Sequence, residues 1–235
     1  MTLDETMKLL ASKGSEQTRK TYKRHGAPEP MFGVKIGDLK PIVKQIKGDQ
    51  ALAMQLYATG NSDAMYLAGL VADGRKMKRS ELDRWVKGAT WHMISGCTVP
   101  WVAAEHPDAV EIALKWIDSP KEPVAVSGWT TLSAVVCVRK DDELPIKTLD
   151  TLLTRVVKTI HASQNRVRYA MNNYVICCGT YVAPLAEKAV AAARKIGRVD
   201  VDMGETNCQV PDAESYILKS RRGLPVALKR KTTRC

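Results

Sequence analysis

The sequence has no apolar run as long as a membrane span, which needs about 20 consecutive apolar residues. Its first residues, MTLDETMKLLASKG, are amphipathic and acidic, whereas a signal peptide pairs a basic start with an apolar stretch. Both absences argue against membrane insertion and secretion. We therefore expect a soluble, cytoplasmic protein with no membrane partner.

Metal-ligand spacing is also missing. The six cysteines include no C-x-x-C pair, and the four histidines are scattered along the chain. Four of the cysteines lie in apolar helical patterns, where a thiol packs as a small buried side chain: Cys97, Cys137, Cys177 and Cys178. Cys208 and Cys235, in the polar C-terminal region, are the candidates for reactive or paired thiols. We expect no metal ion and no cofactor.

Signals of β-structure are equally scarce, since no Asn-Gly or Asp-Gly turn separates two alternating runs. Almost every segment instead repeats apolar residues at the i, i+3, i+4 spacing of an amphipathic helix. Short helices of about 10–17 residues joined by tight links predict an all-α protein, a HEAT-like helical repeat solenoid. A compact orthogonal helical bundle is the alternative. We expect a repeat domain over residues 1–198 and a C-terminal extension, with a short helix and a basic tail, over residues 199–235.

Several helix boundaries have local signals. Thr2 starts a predicted capping box, and Ser15 is the predicted N-cap of the second helix. Ser80 is expected to open a later helix, and Pro107 to lie in the first turn of another. Residues 25–38 are rich in glycine and proline and predict a loop.

Positive charge is what the sequence has in excess, with 36 Lys and Arg against 25 Asp and Glu and a net charge of +11. A basic protein of this kind favours a polyanionic partner, most often nucleic acid. A curved array of helix pairs would hold a long polyanion on its concave side. We therefore expect a monomer that binds double-stranded DNA, with Lys35, Lys40 and Lys44 among its phosphate contacts.

Residues 164–181, QNRVRYAMNNYVICCGTY, combine an apolar helical stripe with a polar face. The polar side chains that lie off the stripe are Arg166, Arg168, Asn172 and Asn173. Arginines and carboxamides near a helix start are suited to phosphates and polar base edges. The alternative is an ordinary solvated face.

The tail from Lys219 onward carries seven basic residues and no acidic one. This run predicts a basic arm that touches phosphates through Lys229, Arg230 and Lys231. A disordered, solvated end is the alternative.

The five tryptophans divide into two groups. Trp85, Trp116 and Trp129 lie at apolar helical positions and are predicted to belong to the core. Trp91 and Trp101 are flanked by Gly, Thr, Pro and His, and we expect them in exposed loops. There they, and His92 beside Trp91, would contact DNA.

Three segments resemble, in their order and spacing, the AlkD-like family of DNA alkylation repair proteins: GVKIGDLKPIVKQIK (33–47), HPDAVEIALKWIDS (106–119) and RVRYAMNNYVICCG (166–179). The resemblance is spread over most of the chain and implies HEAT-like repeats. It also implies a DNA glycosylase, a hydrolase that removes N3- and N7-alkylated purines from duplex DNA. Such a purine is a cationic leaving group, so a carboxylate and aromatic faces would stabilise the oxocarbenium-like sugar.

The family's catalytic positions match this chain only in part. The family Trp falls on Trp91, but Ser95 stands where the family has an Asp four residues later, and a second aromatic falls on Asn173. A hydroxyl lacks the negative charge that stabilises a cationic transition state, and we expect a rate loss of about 10²–10³. The resemblance therefore implies recognition or excision of alkylated purines in duplex DNA. A non-catalytic helical scaffold for DNA, RNA or an acidic protein is the alternative.

Overall fold

The computed structural model describes residues 1–234. Within them the chain forms thirteen α-helices and no β-strand, with one isolated antiparallel bridge between Gly14 and Val34. The helices are α1 (Leu3–Lys13), α2 (Glu16–Arg24), α3 (Ile36–Ile46), α4 (Gln50–Ala58), α5 (Ser62–Val71), α6 (Arg79–Gly88), α7 (Val99–Glu105), α8 (Ala109–Ile117), α9 (Glu122–Val138), α10 (Ile146–Thr159), α11 (Asn165–Tyr181), α12 (Ala186–Ile196) and α13 (Ala213–Arg221). The prediction of an all-α protein is confirmed.

The first two helices begin where their local signals predict. Thr2 and Glu5 form a capping box at α1, in which each side chain accepts a hydrogen bond from the other residue's backbone N–H. Ser15 accepts the Thr18 N–H at the start of α2. The predicted loop separates α2 from α3 and ends at residue 35.

Two predicted helix starts are wrong. The N-cap of α6 is Lys78 rather than Ser80, because the Glu81 carboxylate accepts the Lys78 N–H at 2.7 Å and fixes the first turn there. Helix α8 begins at Ala109, so Pro107 lies before the helix instead of in its first turn.

The chain divides into two compact units, and the first comprises residues 1–107 and 203–207. In it α4 packs on α5, and α3 also lies against α5. The rings of Tyr57 and Trp85 stack with centroids 3.9 Å apart, and the Tyr57 hydroxyl donates to the Trp85 carbonyl oxygen at 2.6 Å. Burial raises the pKa of the Tyr57 phenol, which keeps this donor protonated.

The second unit comprises residues 108–202 and the chain from residue 208 onward. Helices α9 and α11 pack side by side, with α8 against α9 and both α12 and α13 against α11. Gly128 permits the close approach of α8, because a Cβ there would lie 2.7 Å from the Ile117 backbone nitrogen. The predicted core tryptophans are all buried: Trp85, Trp116 and Trp129. The domain boundary expected at residue 199 stays a prediction.

The C-terminal tail packs on the ends of two helices of the second unit. Three donors of the tail reach helix-end carbonyls: Ala227 N–H to Thr180 O at 2.8 Å, Arg230 N–H to Cys137 O at 2.8 Å, and Lys229 Nζ to Val136 O at 2.9 Å. The last carbonyls of a helix lack partners within the helix and favour cations nearby. The tail therefore completes α9 and α11, so the alternative of a disordered, solvated end is wrong for residues 227–230.

No single helix within the described residues has the length and apolar composition of a membrane span. Helices α11 and α12 meet both criteria only as a pair, and the pair is bent by 116°.

Candidate nucleic-acid interface

Trp91 lies in the first unit, just before a π-helical turn over Ile94–Thr98. Its side chain is 4% exposed, and its indole N–H donates to the His25 carbonyl oxygen at 2.9 Å. The ring also packs at 5.3 Å from the ring of Tyr22. The expectation of an exposed loop tryptophan is therefore wrong, because the end of α2 covers the indole.

Ser95 is buried one turn after Trp91, with 3% of the residue exposed. Its hydroxyl donates to the Trp91 carbonyl oxygen at 3.3 Å, the usual back-bond of a serine in a helical turn. Position 95 thus supplies a buried hydroxyl and no formal charge. Electrostatic stabilisation of a cationic sugar requires a negative group at the reacting centre.

Asp63, which the sequence interpretation missed, organises the surroundings of Trp91. Its buried carboxylate accepts three backbone N–H groups of the α2–α3 loop: Phe32 at 2.6 Å, Gly33 at 3.0 Å and Val34 at 2.8 Å. Burial, with the Asp63 charge nearby, raises the pKa of Tyr22 to about 12. The only signal in the sequence is the Asn-x-Asp pattern at a helix start, and its partners lie 29 to 31 residues earlier in the chain.

The lysines expected to contact DNA lie on or beside α3. Lys35 is the N-cap of the helix, and Lys40 and Lys44 follow at a spacing of one turn. All three are exposed, and they form no ion pair among residues 1–234. Asp38 is the one acidic residue of α3, so this helix presents a net positive edge to solvent. We call Lys35, Lys40 and Lys44 the lysine edge.

His92 and Trp101 also lie in the first unit. His92 is half-buried, with its ring 5.7 Å from that of Trp91 and 6.2 Å from that of His25. Trp101 lies within α7, where it is 6% exposed and meets the Tyr66 ring edge-on at 5.5 Å. The expectation of an exposed Trp101 is wrong, because the π-helical turn carries the chain directly into α7 and turns the indole inward.

The polar face of α11 lies in the second unit and is less open than its sequence indicates. Arg166 and Arg168 are half-buried, and the Arg166 N–H donates to the Glu122 carboxylate at 2.8 Å. A carboxylate therefore already occupies the positive end of this helix. The Arg168 guanidinium donates to Asn165 Oδ1 at 3.2 Å, and its buried Nε–H has no hydrogen-bond partner within residues 1–234.

Residues distant in sequence cover part of the same face. Asn165 exchanges two hydrogen bonds of 2.8 Å with the backbone of Asp202, and Asn172 donates to the Pro211 carbonyl oxygen at 2.9 Å. Asn172 is consequently 1% exposed, whereas Asn173 is half-buried. The expectation of a solvent-facing Asn172 is wrong, because the chain between α12 and α13 returns to this helix.

The basic tail divides into paired and open charges. Lys229 forms an ion pair with Asp141 at 2.8 Å, while Arg230 and Lys231 are exposed.

The cysteines differ in their surroundings. A hydrogen bond between Cys137 and Cys177 lowers the pKa of the Cys177 thiol and raises the pKa of the Cys137 thiol. Cys208 is exposed, and Cys235 lies outside the described residues.

A family model described as "DNA alkylation repair enzyme" matches residues 6–208 of the chain. The protein belongs to the DNA alkylation repair family. An uncharacterized protein of Listeria innocua serovar 6a is 34% identical over 227 residues, which is 94% of this chain and 98% of that protein. An uncharacterized protein of Listeria monocytogenes serovar 1/2a shows the same identity and coverage.

A solved structure is similar over its full length. It superposes with a TM-score of 0.91 at 39% identity and covers 100% of both chains. It is described as belonging to "a new family of proteins related to the HEAT-like repeat DNA glycosylases with affinity for branched DNA structures". The predicted HEAT-like helical repeat fold is confirmed.

Within this DNA alkylation repair protein, the three positions carried over from the AlkD-like pattern fall in different places. Trp91 and Ser95 are adjacent and buried in the first unit, and Asn173 lies on α11 in the second. Their roles stay predictions, as do those of the lysine edge, His92, Trp101, Arg166, Arg168, Asn172 and the tail residues Lys229, Arg230 and Lys231. Among these groups of residues, the lysine edge is the one whose members are all exposed and lie close together in sequence.

Proposed function

We propose that the protein is a monomer that binds branched DNA through the double-stranded arms and does so without cleaving a glycosidic bond. The non-catalytic part of the proposal depends on one observation, the buried uncharged hydroxyl at position 95. Its neighbour Trp91 has its indole N–H committed to a backbone carbonyl. Neither side chain offers charge to a developing cation in this arrangement.

Binding to the arms is supported by charge. The net charge of +11 and the exposed lysine edge provide the sequence-independent phosphate contacts on which DNA affinity largely depends. A preference for branched DNA over linear duplex is supported by the full-length likeness to a protein with that affinity. Phosphate contacts alone do not discriminate between the two, so shape must be recognised elsewhere on the protein.

Excision of N3- or N7-methylated purines is a second candidate, favoured by the family model, whose description is that of a repair enzyme. It would require a carboxylate from another position. Glu105 and Asp118 are two candidates that follow position 95 in sequence, but Glu105 accepts the Gly74 N–H at 2.9 Å and Asp118 pairs with Arg155 at 2.7 Å. These contacts support structural roles for both carboxylates.

The deciding experiment combines binding and excision assays on the full chain. We expect gel retardation of a three-way junction at a lower protein concentration than a linear duplex of the same base composition, with an affinity that falls steeply as salt rises. We expect no release of 3-methyladenine or 7-methylguanine from methylated duplex above the uncatalysed rate. Equal affinity for junction and duplex would overturn recognition of branches, and release of free base would establish the second candidate.

A scaffold for RNA or for an acidic protein is the remaining alternative. The same retardation assay separates it, because such a scaffold would show little affinity for any of the DNA probes even at low salt. Sedimentation of the protein with and without the junction tests the expected monomer.

A further inference from the structure

The first unit contains a cleft of about 450 Å³ that the proposed phosphate contacts do not use. It lies where α4 and α6 end and α5 begins, and Pro28 and Glu29 of the α2–α3 loop form one lip. Binding clefts for small organic groups have volumes of about 300–1,000 Å³. The volume suits a single nucleoside and excludes a stretch of duplex.

The inner wall of the cleft is apolar and aromatic. The stacked pair of Tyr57 and Trp85 contributes to it, together with Trp91 and the side chains of Met54 and Met65. The Tyr57 hydroxyl is bonded to the Trp85 backbone, so the aromatic pair is held rigidly. Because Tyr57, Trp85 and Trp91 are only 2–6% exposed, the wall offers a nucleobase a rigid apolar surface rather than an open ring face.

The lining also includes exposed polar and charged groups. Arg84 lies in α6, Thr90 just after it, and Glu29 in the α2–α3 loop. Arg19 at 2.7 Å and Lys23 at 3.0 Å bind the Glu29 carboxylate, so the cations among these groups outnumber the anion. The guanidinium of Arg84 can contact a nucleotide phosphate at the mouth, and a carboxylate oxygen accepts from exocyclic amino groups.

The lip is fixed in position. Ser62, the first residue of α5, donates its N–H to the Pro30 carbonyl oxygen at 3.0 Å and its hydroxyl to the Pro28 carbonyl oxygen at 3.1 Å. The chain's own hydrogen bonds therefore hold the lip in place, which reduces the entropy that binding must overcome.

We propose that this cleft binds one unpaired base of DNA, of the kind exposed at a branch point. The inference builds on the proposed function, because strands that exchange partners leave bases unstacked, and an unpaired base costs least to extrude. It supplies the shape recognition that phosphate contacts lack. Trp91 is among the lining residues but is only 4% exposed, so it supports the cleft as part of the core.

The test uses a pair of substitutions on one helix. Ala58 is exposed at the end of α4 and lines the cleft, whereas Ala51 is exposed near the start of the same helix and does not. Ala58→Leu would fill the cleft, and Ala51→Leu adds the same volume elsewhere. Gly88→Leu, at a lining position of α6, is a second filling variant, since a Cβ there would make an ordinary contact of 3.7 Å with Tyr57. Circular dichroism and thermal unfolding verify that each variant is folded.

The probes are two three-way junctions that differ only in two unpaired residues at the branch, adenines in one and abasic sites in the other. We expect the wild type and Ala51→Leu to bind the adenine junction about tenfold more tightly than the abasic junction, a gain expected when one base is buried in an apolar cleft. Ala58→Leu and Gly88→Leu should bind both junctions as weakly as the wild type binds the abasic one. Equal wild-type affinity for the two junctions would overturn the cleft proposal and leave branch binding intact.

A free nucleotide separates failure of the cleft from failure of the proposed function. If the wild type binds neither junction, the proposed function is wrong. Binding of deoxyadenosine monophosphate alone then tests the cleft. Quenching of tryptophan fluorescence in the wild type and in Ala51→Leu, but in neither filling variant, would support the site. Absence of quenching in the wild type, or quenching that both filling variants retain, would reject it.

Discussion

The indole N–H of Trp91 donates a hydrogen bond to the carbonyl oxygen of His25 at 2.9 Å. This bond joins the segment before the π-helical turn to the C-terminal residue that caps α2, and it holds the ring inside the first unit. An aromatic side chain that presses on a DNA lesion has to present its face to solvent. Turning Trp91 outward would break this bond and expose a ring that is now 4% accessible. The neighbourhood of Trp91 therefore behaves as core.

Restoring the family carboxylate is the first test of that conclusion. Because position 95 is 3% exposed, Ser95→Asp should lower the free energy of unfolding by about 1–3 kcal/mol, the cost of a buried polar group without suitable partners. Urea unfolding measures the loss. Burial would raise the pKa of the introduced carboxyl in the folded state, so the loss should be smallest at low pH and grow as the pH rises through the ordinary aspartate value of about 3.9.

Ser95→Ala is the matched control for this substitution. It removes one hydrogen bond to the Trp91 carbonyl oxygen and should cost about 1 kcal/mol or less, independently of pH. We expect methylpurine release from neither variant. A stable Ser95→Asp protein that excises methylated bases would show that position 95 reaches substrate.

Asp63→Asn should destabilise the first unit more than any surface substitution. An amide offers one acceptor oxygen to three backbone donors that now share a carboxylate, so at least one N–H of Phe32, Gly33 or Val34 would lose its partner. We expect a loss of about 2–4 kcal/mol in urea unfolding. Amide exchange of those three residues should quicken. The control is Asp38→Asn, at an exposed position of α3, which should change stability by less than about 0.5 kcal/mol.

The ion pairs of Glu29 with Arg19 and Lys23 predict that part of the protein's stability is lost at acid pH. Hydrogen bonds from Arg19 and Lys23 lower the pKa of Glu29 to about 2 from an ordinary value of 4.5. A carboxyl whose pKa is depressed by folding contributes stability above its unfolded value, and that contribution is lost as the pH falls from 4.5 through 2. Melting temperatures measured between pH 5 and pH 2 should fall less steeply for Glu29→Gln than for the wild type. Parallel curves would show that the cluster contributes nothing to folding.

The lysine edge gives a prediction for DNA binding. Lys40→Glu combined with Lys44→Glu should weaken junction and duplex binding alike and reduce the slope of log K against log salt by about 2, one unit for each lost phosphate contact. The control, Lys8→Glu with Lys20→Glu, makes the same change in net charge at exposed lysines of α1 and α2. Titrations at several salt concentrations distinguish a local contact from an effect of net charge. A local contact would reduce the salt slope of the Lys40/Lys44 variant more than that of the Lys8/Lys20 control, whereas an effect of net charge would reduce both slopes equally.

Removal of the C-terminal tail should affect folding as well as binding. A chain ending at Gly223 lacks the donors to Thr180, Cys137 and Val136. At about 1 kcal/mol for each hydrogen bond, unfolding should require about 2–4 kcal/mol less free energy. Lys231→Gln removes an exposed charge and should leave stability unchanged. A truncated chain with full stability would show that these bonds have no net value.

Local sequence was sufficient for much of the fold. Apolar spacing predicted the all-α class, and the side chains of Thr2 and Ser15 predicted two helix starts, because a cap depends on atoms three residues away. The same reasoning failed for Trp91, Trp101 and Asn172. Their burial depends on His25, Tyr66 and Pro211, which lie 66, 35 and 39 residues away in the chain. A flanking Gly or Pro indicates a break in a helix and gives no information about what covers the side chain.

The contacts of the C-terminal tail also determine when the second unit can be completed during synthesis. The C-terminal end of α9 obtains its last hydrogen bonds from residues 229 and 230, and Lys229 follows Val136 by 93 positions. At a translation rate of about 5–20 residues per second, those partners leave the ribosome roughly 5–19 s after the helix end that they complete. During that interval the carbonyl groups at this helix end stay open to solvent or to a chaperone. Slow synthesis of residues 229 and 230 should therefore prolong the aggregation-sensitive stage of a nascent chain whose first unit has already been made.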